Sequence, residues 1–408
     1  MKESLSSNIQ LTFKKIGMHA SNETVPWQIW VAVIALGVST FTIVTTELAP
    51  IGILSQLADS FQKSEATTGL VVSVYAWLAA VIALFSVFLF GRLPRKGLLV
   101  ALMTILAVSN IVAAFAPVFS TLMGARMVGA IAHGAFWAII GTVGAQLVPP
   151  KYVGVATSII FGGVSVASVI GVPITNALAR EYAWDTAFLA IAALAVFSLI
   201  AISIFLPKLP VPVPLPNGAL KGVLKEKLFL RIYGATACAI TAHFAAFTYI
   251  EPLLSISLEV TGQRLSILLF AFGAAGILGN IITGKLIDRH LKALISISLL
   301  AMSVGVLGLS LSNKEASFYL VGALLIVWGA GVAIVFVGFQ TWILKQAGPL
   351  ALPASAIYVA IFNAAIGAGA FIGSSILGAM TLNGLMLCVA IALALSLVPV
   401  LTLKQPKN

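Results

Sequence analysis

Twelve apolar runs of about 20 residues follow one another from Trp27 to the C-terminal tail, separated by short polar loops. A run of that length crosses the hydrocarbon core of a bilayer as a helix. The runs fall near 28–56, 66–90, 98–117, 121–147, 153–178, 186–206, 231–257, 265–284, 293–312, 317–344, 354–379 and 384–403. They are continuous rather than alternating apolar and polar, which excludes spanning β-strands. A chain of 408 residues that is 60% hydrophobic and 9% charged lacks the polar surface of a soluble globule. The pattern predicts an all-α membrane protein. It excludes a soluble enzyme, a nucleic-acid binder and a disordered scaffold.

The net charge of +11 lies in short loops rather than on one face, so no nucleic-acid partner is expected. With the N-terminus inside, the expected cytoplasmic segments hold 18 of the 23 basic residues. The outer loops hold four, Lys63, Arg180, Arg264 and Lys314, and Arg126 lies within a span. The positive-inside rule then places both termini in the cytoplasm. The polar first 26 residues carry Lys2, Lys14 and Lys15 but no apolar h-region, so a cleaved signal peptide is not expected.

Between spans six and seven, Pro207, Pro210, Pro212, Pro214 and Pro216 stop any helix and favour extended backbone. The predicted organisation is a cytoplasmic segment 1–27, a six-helix bundle 28–206, a cytoplasmic linker 207–230, a second bundle 231–403 and a tail 404–408. The halves echo each other: Glu47-Leu-Ala-Pro50 ends span one, and Glu251-Pro252 ends span seven. Gly91–Lys96 follows span two, and Gly284–Arg289 follows span eight. Two repeats around a central site are the layout of a secondary transporter. No P-loop occurs, so ATP is not expected to drive the chain directly. Cys238 and Cys388 are too few for a disulfide framework, and no Cys/His spacing predicts a metal or cofactor.

Several motifs carry a resemblance to the major facilitator superfamily. Gly284–Arg289 is similar to that family's loop motif, and Gly91–Lys96 is its shortened, acid-free counterpart. Arg126-Met-Val-Gly129 resembles the buried arginine motif of helix four. Gly163, Ala167, Gly171, Val172 and Pro173 resemble a degraded antiporter motif. Thr45-Thr46-Glu47, Pro50-Ile-Gly52, Tyr75-Ala-Trp77, Ala132–Trp137, Thr241-Ala-His243, Tyr249–Pro252 and Phe362–Ala370 resemble bacterial sugar efflux transporters, on the drug/proton antiporter side. The resemblance implies proton-coupled export of small sugars or sugar analogues by a monomer in a bacterial inner membrane. Its alternative is a multidrug or nucleoside exporter. An intramembrane enzyme is disfavoured, because no His-Glu-x-x-His cluster occurs. A transport-inactive sensor would be separated by a liposome flux assay.

Charge inside a span is costly, about 2.5–3.5 kcal/mol on insertion scales. Only Glu47, Arg126 and Glu251 carry it here. These three are the expected proton-coupling residues, Glu47 being the deeper acid. Arg126 cannot shed its charge. It pairs either with Glu47 or with backbone carbonyls of helix one, and it serves either coupling or the locking of helices. Offsets of seven and four put Arg126, His133 and Trp137 on one face of helix four. Offsets of four put His243, Phe247 and Glu251 on one face of helix seven, and Thr40 shares a face with Glu47. Expected substrate contacts are His133, Trp137, His243, Tyr249, Asn363 and Tyr75, through hydrogen bonds and ring stacking. Asn280, Gln340, Trp77 and Tyr358 are further candidates. The small-residue stripes Gly163/Ala167/Gly171 and Asn363/Gly367/Ala370 read as helix-packing surfaces.

Overall fold

A computed structural model describes residues 25–90, 93–149, 152–209, 218–347 and 350–404. The first half comprises α1 (Trp27–Gly52), α2 (Leu54–Phe61), α3 (Glu65–Leu89), α4 (Arg95–Ala114), α5 (Phe119–Leu147), α6 (Val153–Val166), α7 (Val172–Glu181) and α8 (Trp184–Phe205). After a short α9 (Ala219–Lys225), the second half comprises α10 (Lys227–Phe247), α11 (Ile250–Pro252), α12 (Gln263–Ser310), α13 (Phe318–Ala347), α14 (Ala351–Leu377), α15 (Leu382–Leu395) and α16 (Leu397–Thr402). Eleven stretches among the described residues are long and apolar enough to cross a membrane. The 29-residue α5 stands at the remaining expected position. The chain is therefore an all-helical, multi-pass membrane protein. The prolines of the linker from 210 to 216, the N-terminal lysines, Gly91, Arg92, Lys151 and Lys407 lie outside the described residues.

The first, fifth and seventh spans differ from the expected unbroken runs, each for a local reason, and the twelfth is interrupted at Ser396. The first ends at Gly52, and the chain turns at Ile53 before restarting as α2. Pro50 lies in the last turn of α1 and has no N–H to give the Thr46 carbonyl. The fifth span is joined by a π-helical stretch, Ala167–Gly171, just before Pro173. The seventh breaks at Thr248–Tyr249, and a π-helical stretch, Leu253–Ser257, follows Pro252. Where a loop was expected after span eight, α12 runs on through Gly284–Arg289 and breaks only at His290, φ −128° and ψ 28°.

The small-residue stripes settle helix against helix. A side chain at Gly163 would collide with the backbone of α1 at Gly37 and Phe41, and one at Gly171 would press on Thr45. On α14, Gly367 lies against Trp77 of α3. Such residues let helix axes approach closely where lipid supplies no hydrophobic drive for association. The α3–α14 seam joins the halves: Trp77 Nε1 donates to the Ala364 carbonyl at 3.2 Å, and Ser374 Oγ donates to the Ala66 carbonyl at 2.7 Å.

Candidate functional site

The break in α1 builds the first half's site. With Pro50 silent, the Thr46 carbonyl accepts instead from Arg126 Nη1, and the Glu47 carbonyl accepts from Nη2 at 3.2 Å. The guanidinium carbon sits 4.0 Å from the centre of the Tyr75 ring, a cation–π contact. Arg126 is 2% exposed and Tyr75 fully buried. A permanent charge is thus lodged in the bundle by two carbonyls and a ring face. Of the two arrangements expected for Arg126, the structure shows the carbonyl one.

The Glu47 carboxyl is left without that partner. It is 6% exposed, its Oε1 has no hydrogen-bond partner, and its Oε2 lies 3.8 Å from His133 Nε2. That same nitrogen accepts a hydrogen bond from Trp137 Nε1 at 3.0 Å, so it carries no proton of its own in this arrangement. His133 also meets the Tyr75 ring edge-on, centroids 5.4 Å apart. Glu47, Tyr75, Arg126, His133 and Trp137 therefore form one cluster from α1, α3 and α5. The Tyr75 hydroxyl has no partner. An acid with an unused oxygen, an imidazole beside it and a fixed positive charge nearby can take up and release a proton. Thr40 is occupied elsewhere, bonding back to the Leu36 carbonyl at 3.0 Å.

The second half places its residues differently. His243 is buried among Phe244, Phe247, Phe272, Trp328 and Phe336, and its Nδ1 accepts from Trp328 Nε1 at 3.0 Å. Tyr249 fills the seam between the halves. Its hydroxyl donates to the Ala370 carbonyl at 3.1 Å, and Gly69 of α3 leaves it room. Glu251 reaches across the halves to accept the backbone N–H of Ser55 at 2.9 Å. Asn363 donates to the Val359 carbonyl at 2.9 Å and keeps a buried, unpartnered Oδ1. Gln340 donates to Ser355 Oγ at 3.1 Å, Tyr358 to the Phe336 carbonyl at 3.1 Å, and Asn280 Oδ1 has no partner. His243, Tyr249 and Glu251 thus lie in separate surroundings rather than in one cluster.

Two buried asparagines escaped the sequence reading. Asn110 of α4 donates to the Leu106 carbonyl at 2.8 Å and approaches Thr46 Oγ1 at 3.5 Å. Asn176 of α7 donates to the Gly52 carbonyl at 2.8 Å. Their signal was plain, an amide inside an apolar span, and the same reasoning that picked Asn363 applies to both. Among the described residues, no three His, Cys, Asp or Glu side chains gather in a way that could hold a metal ion.

Residues 29–373 match the family model of the Major Facilitator Superfamily. Two solved structures share the fold. One is the human organic anion transporter MFSD10 (TETRAN), at 15% identity and TM-score 0.67, covering 92% of this chain and 100% of that one. The other is a POT family transporter in complex with 5-aminolevulinic acid, at 11% identity and TM-score 0.76, covering 92% and 96% respectively.

Proposed function

This chain belongs to the Major Facilitator Superfamily, and from that premise we propose that it exports small sugars or sugar analogues in exchange for protons. It is a membrane transporter rather than an enzyme. In this reading it works as a monomer in a bacterial inner membrane, with both termini and the proline linker cytoplasmic. The halves 28–206 and 231–403 rock against each other around a midplane site. The observation that carries proton coupling is the Glu47 carboxyl, buried and not consumed by Arg126. A carboxyl whose guanidinium neighbour is held by carbonyls is free to change its own charge. The neutral acid suits a dry site, and the anion suits a wetted one. His133 stands next to it as the second proton acceptor. The sugar class is supported by the ordered motifs from Thr45 to Ala370 and by the unused acceptor on Asn363.

A specific observation favours a second reading. The ring-lined surroundings of His243 would suit a lipophilic drug or a nucleoside base better than a polyol. Counterflow in proteoliposomes with labelled sugars, nucleosides and drugs separates the two. The sugar reading expects counterflow of small sugars, and uptake of drugs alone would replace it. Coupling is tested in the same vesicles with Glu47→Gln. Exchange without a gradient is expected to persist, while accumulation driven by a pH gradient is lost. Full gradient-driven transport in this variant would move the proton carrier elsewhere.

A further inference from the structure

Between mid-depth and the end that carries Glu251, side-chain hydrogen bonds cross between the halves at Ser55–Glu251, Trp77–Ala364, Ser266–Asn176 and Ser374–Ala66. Two belong to the α3–α14 seam. The other two sit on the opposite side of that end, where α1, α2 and α7 meet α11 and α12. Ser266 Oγ donates to Asn176 Oδ1 at 2.8 Å, and the Ser55 N–H donates to Glu251 Oε2 at 2.9 Å.

Asn176 is the organising group. It is 1% exposed, and both ends of its amide are in use. Its Nδ2 donates to the Gly52 carbonyl, which the break at Ile53 leaves free of a helical partner. That bond fixes which way the amide points, so the oxygen must face Ser266 of the other half. A cleft of about 310 Å³ opens beside these bonds, lined by Asp59 and Arg180 from the first half and by Ser255 and Thr261 from the second. The cleft is large enough to admit water beside the seal, where it can replace each bond as it breaks.

We propose that Asn176 is the gate-positioning residue of the Glu251 end: it binds α1 and α12 at once, and with the Glu251–Ser55 clasp it holds that end shut. The proposal rests on the alternating-access reading but not on the identity of the solute. Gly52 is five residues from Glu47 on the same helix, so the gate is anchored to the helix that carries the acid. Opening the Ser266 bond leaves Asn176 still attached to α1. The seal therefore parts between the halves rather than within the first.

The test is a distance measurement in the full chain, with Cys238 and Cys388 replaced by alanine. Spin labels at Tyr182 and Tyr319, both highly exposed, report the separation of the halves at this end. Ser266→Ala removes only the bond between the halves. It is expected to raise the open-to-closed ratio about fivefold, which converts to about 1 kcal/mol, one net hydrogen bond. Ser266→Thr, which keeps a hydroxyl, is expected to restore the original ratio. Asn176→Ala is expected to shift it further. The thermal midpoint of Ser266→Ala in detergent should match the parent, which separates gating from general stability. Two distance populations in the parent with an unchanged ratio in Ser266→Ala would overturn the gate assignment alone. A single distance in the parent and every variant would overturn alternating access, and the gate with it.

Discussion

Two histidines sit one in each half, each accepting a tryptophan N–H at 3.0 Å, and their surroundings share almost nothing else. His133 lies against a carboxyl, with a guanidinium and a phenol in the same cluster. His243 lies among phenylalanine rings, one of them stacked on it at 5.2 Å. Each imidazole accepts one indole N–H, His133 through Nε2 and His243 through Nδ1, and the settings differ. In the first half, a change of charge is answered by groups that can respond to it. In the second, no carboxylate is shown in contact with the imidazole among the described residues, and rings surround it. The two halves thus hold their histidines in different ways, with charged groups around one and a packed aromatic wall around the other.

Arg126 gives the comparison its largest test. Lysine would keep the charge but is a compact point donor, unable to span two carbonyls and lie flat on Tyr75. Arg126→Lys should lose one charge-assisted bond, about 1.5–3 kcal/mol. Transport is expected to fall about 10- to 100-fold, read as the initial rate of gradient-driven flux with expression and thermal midpoint as controls. Arg126→Lys with near-parental flux would mean that charge alone suffices and the fork geometry is incidental.

The histidines come next. His133→Phe removes the only group facing the Glu47 carboxyl within 4.0 Å among the described ion pairs. A gradient-driven rate at least about tenfold lower is expected, the loss equivalent to 1.4 kcal/mol. His243→Phe substitutes one ring for another in an aromatic setting. Transport should stay within about twofold, while stability drops by about 1–3 kcal/mol because Trp328 is left with a buried, unpaired N–H. Equal losses of transport in the two variants would erase the division between the halves and return His243 to the substrate path.

Much of this was legible before any coordinates. The succession of spanning helices follows from run length, because a spanning segment has to satisfy its own backbone and the bilayer sets its length. The face shared by Arg126, His133 and Trp137 follows from helical spacing. What spacing could not resolve is which of two acceptors a buried arginine takes. That depends on Pro50, whose missing N–H frees the Thr46 carbonyl, a contact between residues 80 positions apart. The surroundings of His243 were equally out of reach, since Phe272, Trp328 and Phe336 arrive from other helices. Asn176 was readable as a polar intruder in span five. Its partners, Gly52 and Ser266, are set only by how α7 meets α1 and α12.

The smallest test compares the two tryptophans themselves. Trp137 is half-buried and donates within its own helix, four residues from His133. Trp328 is fully buried and joins α13 to α10. Trp137→Phe takes the N–H from the imidazole nitrogen that faces Glu47, so that nitrogen becomes free to hold a proton or to turn toward the acid. One hydrogen bond of about 1 kcal/mol corresponds to about 0.7 of a pH unit. The pH at which solute exchange is half-maximal is therefore expected to move by about that amount, with the thermal midpoint nearly unchanged. Trp328→Phe removes the corresponding indole bond to His243 Nδ1, an imidazole set among rings rather than beside a carboxyl. It should lower stability by about 1–3 kcal/mol through the unpaired nitrogen and the lost ring volume, and leave the pH profile in place. A pH profile that moves with Trp328 and not with Trp137 would invert the assignment, placing proton handling in the second half and packing in the first.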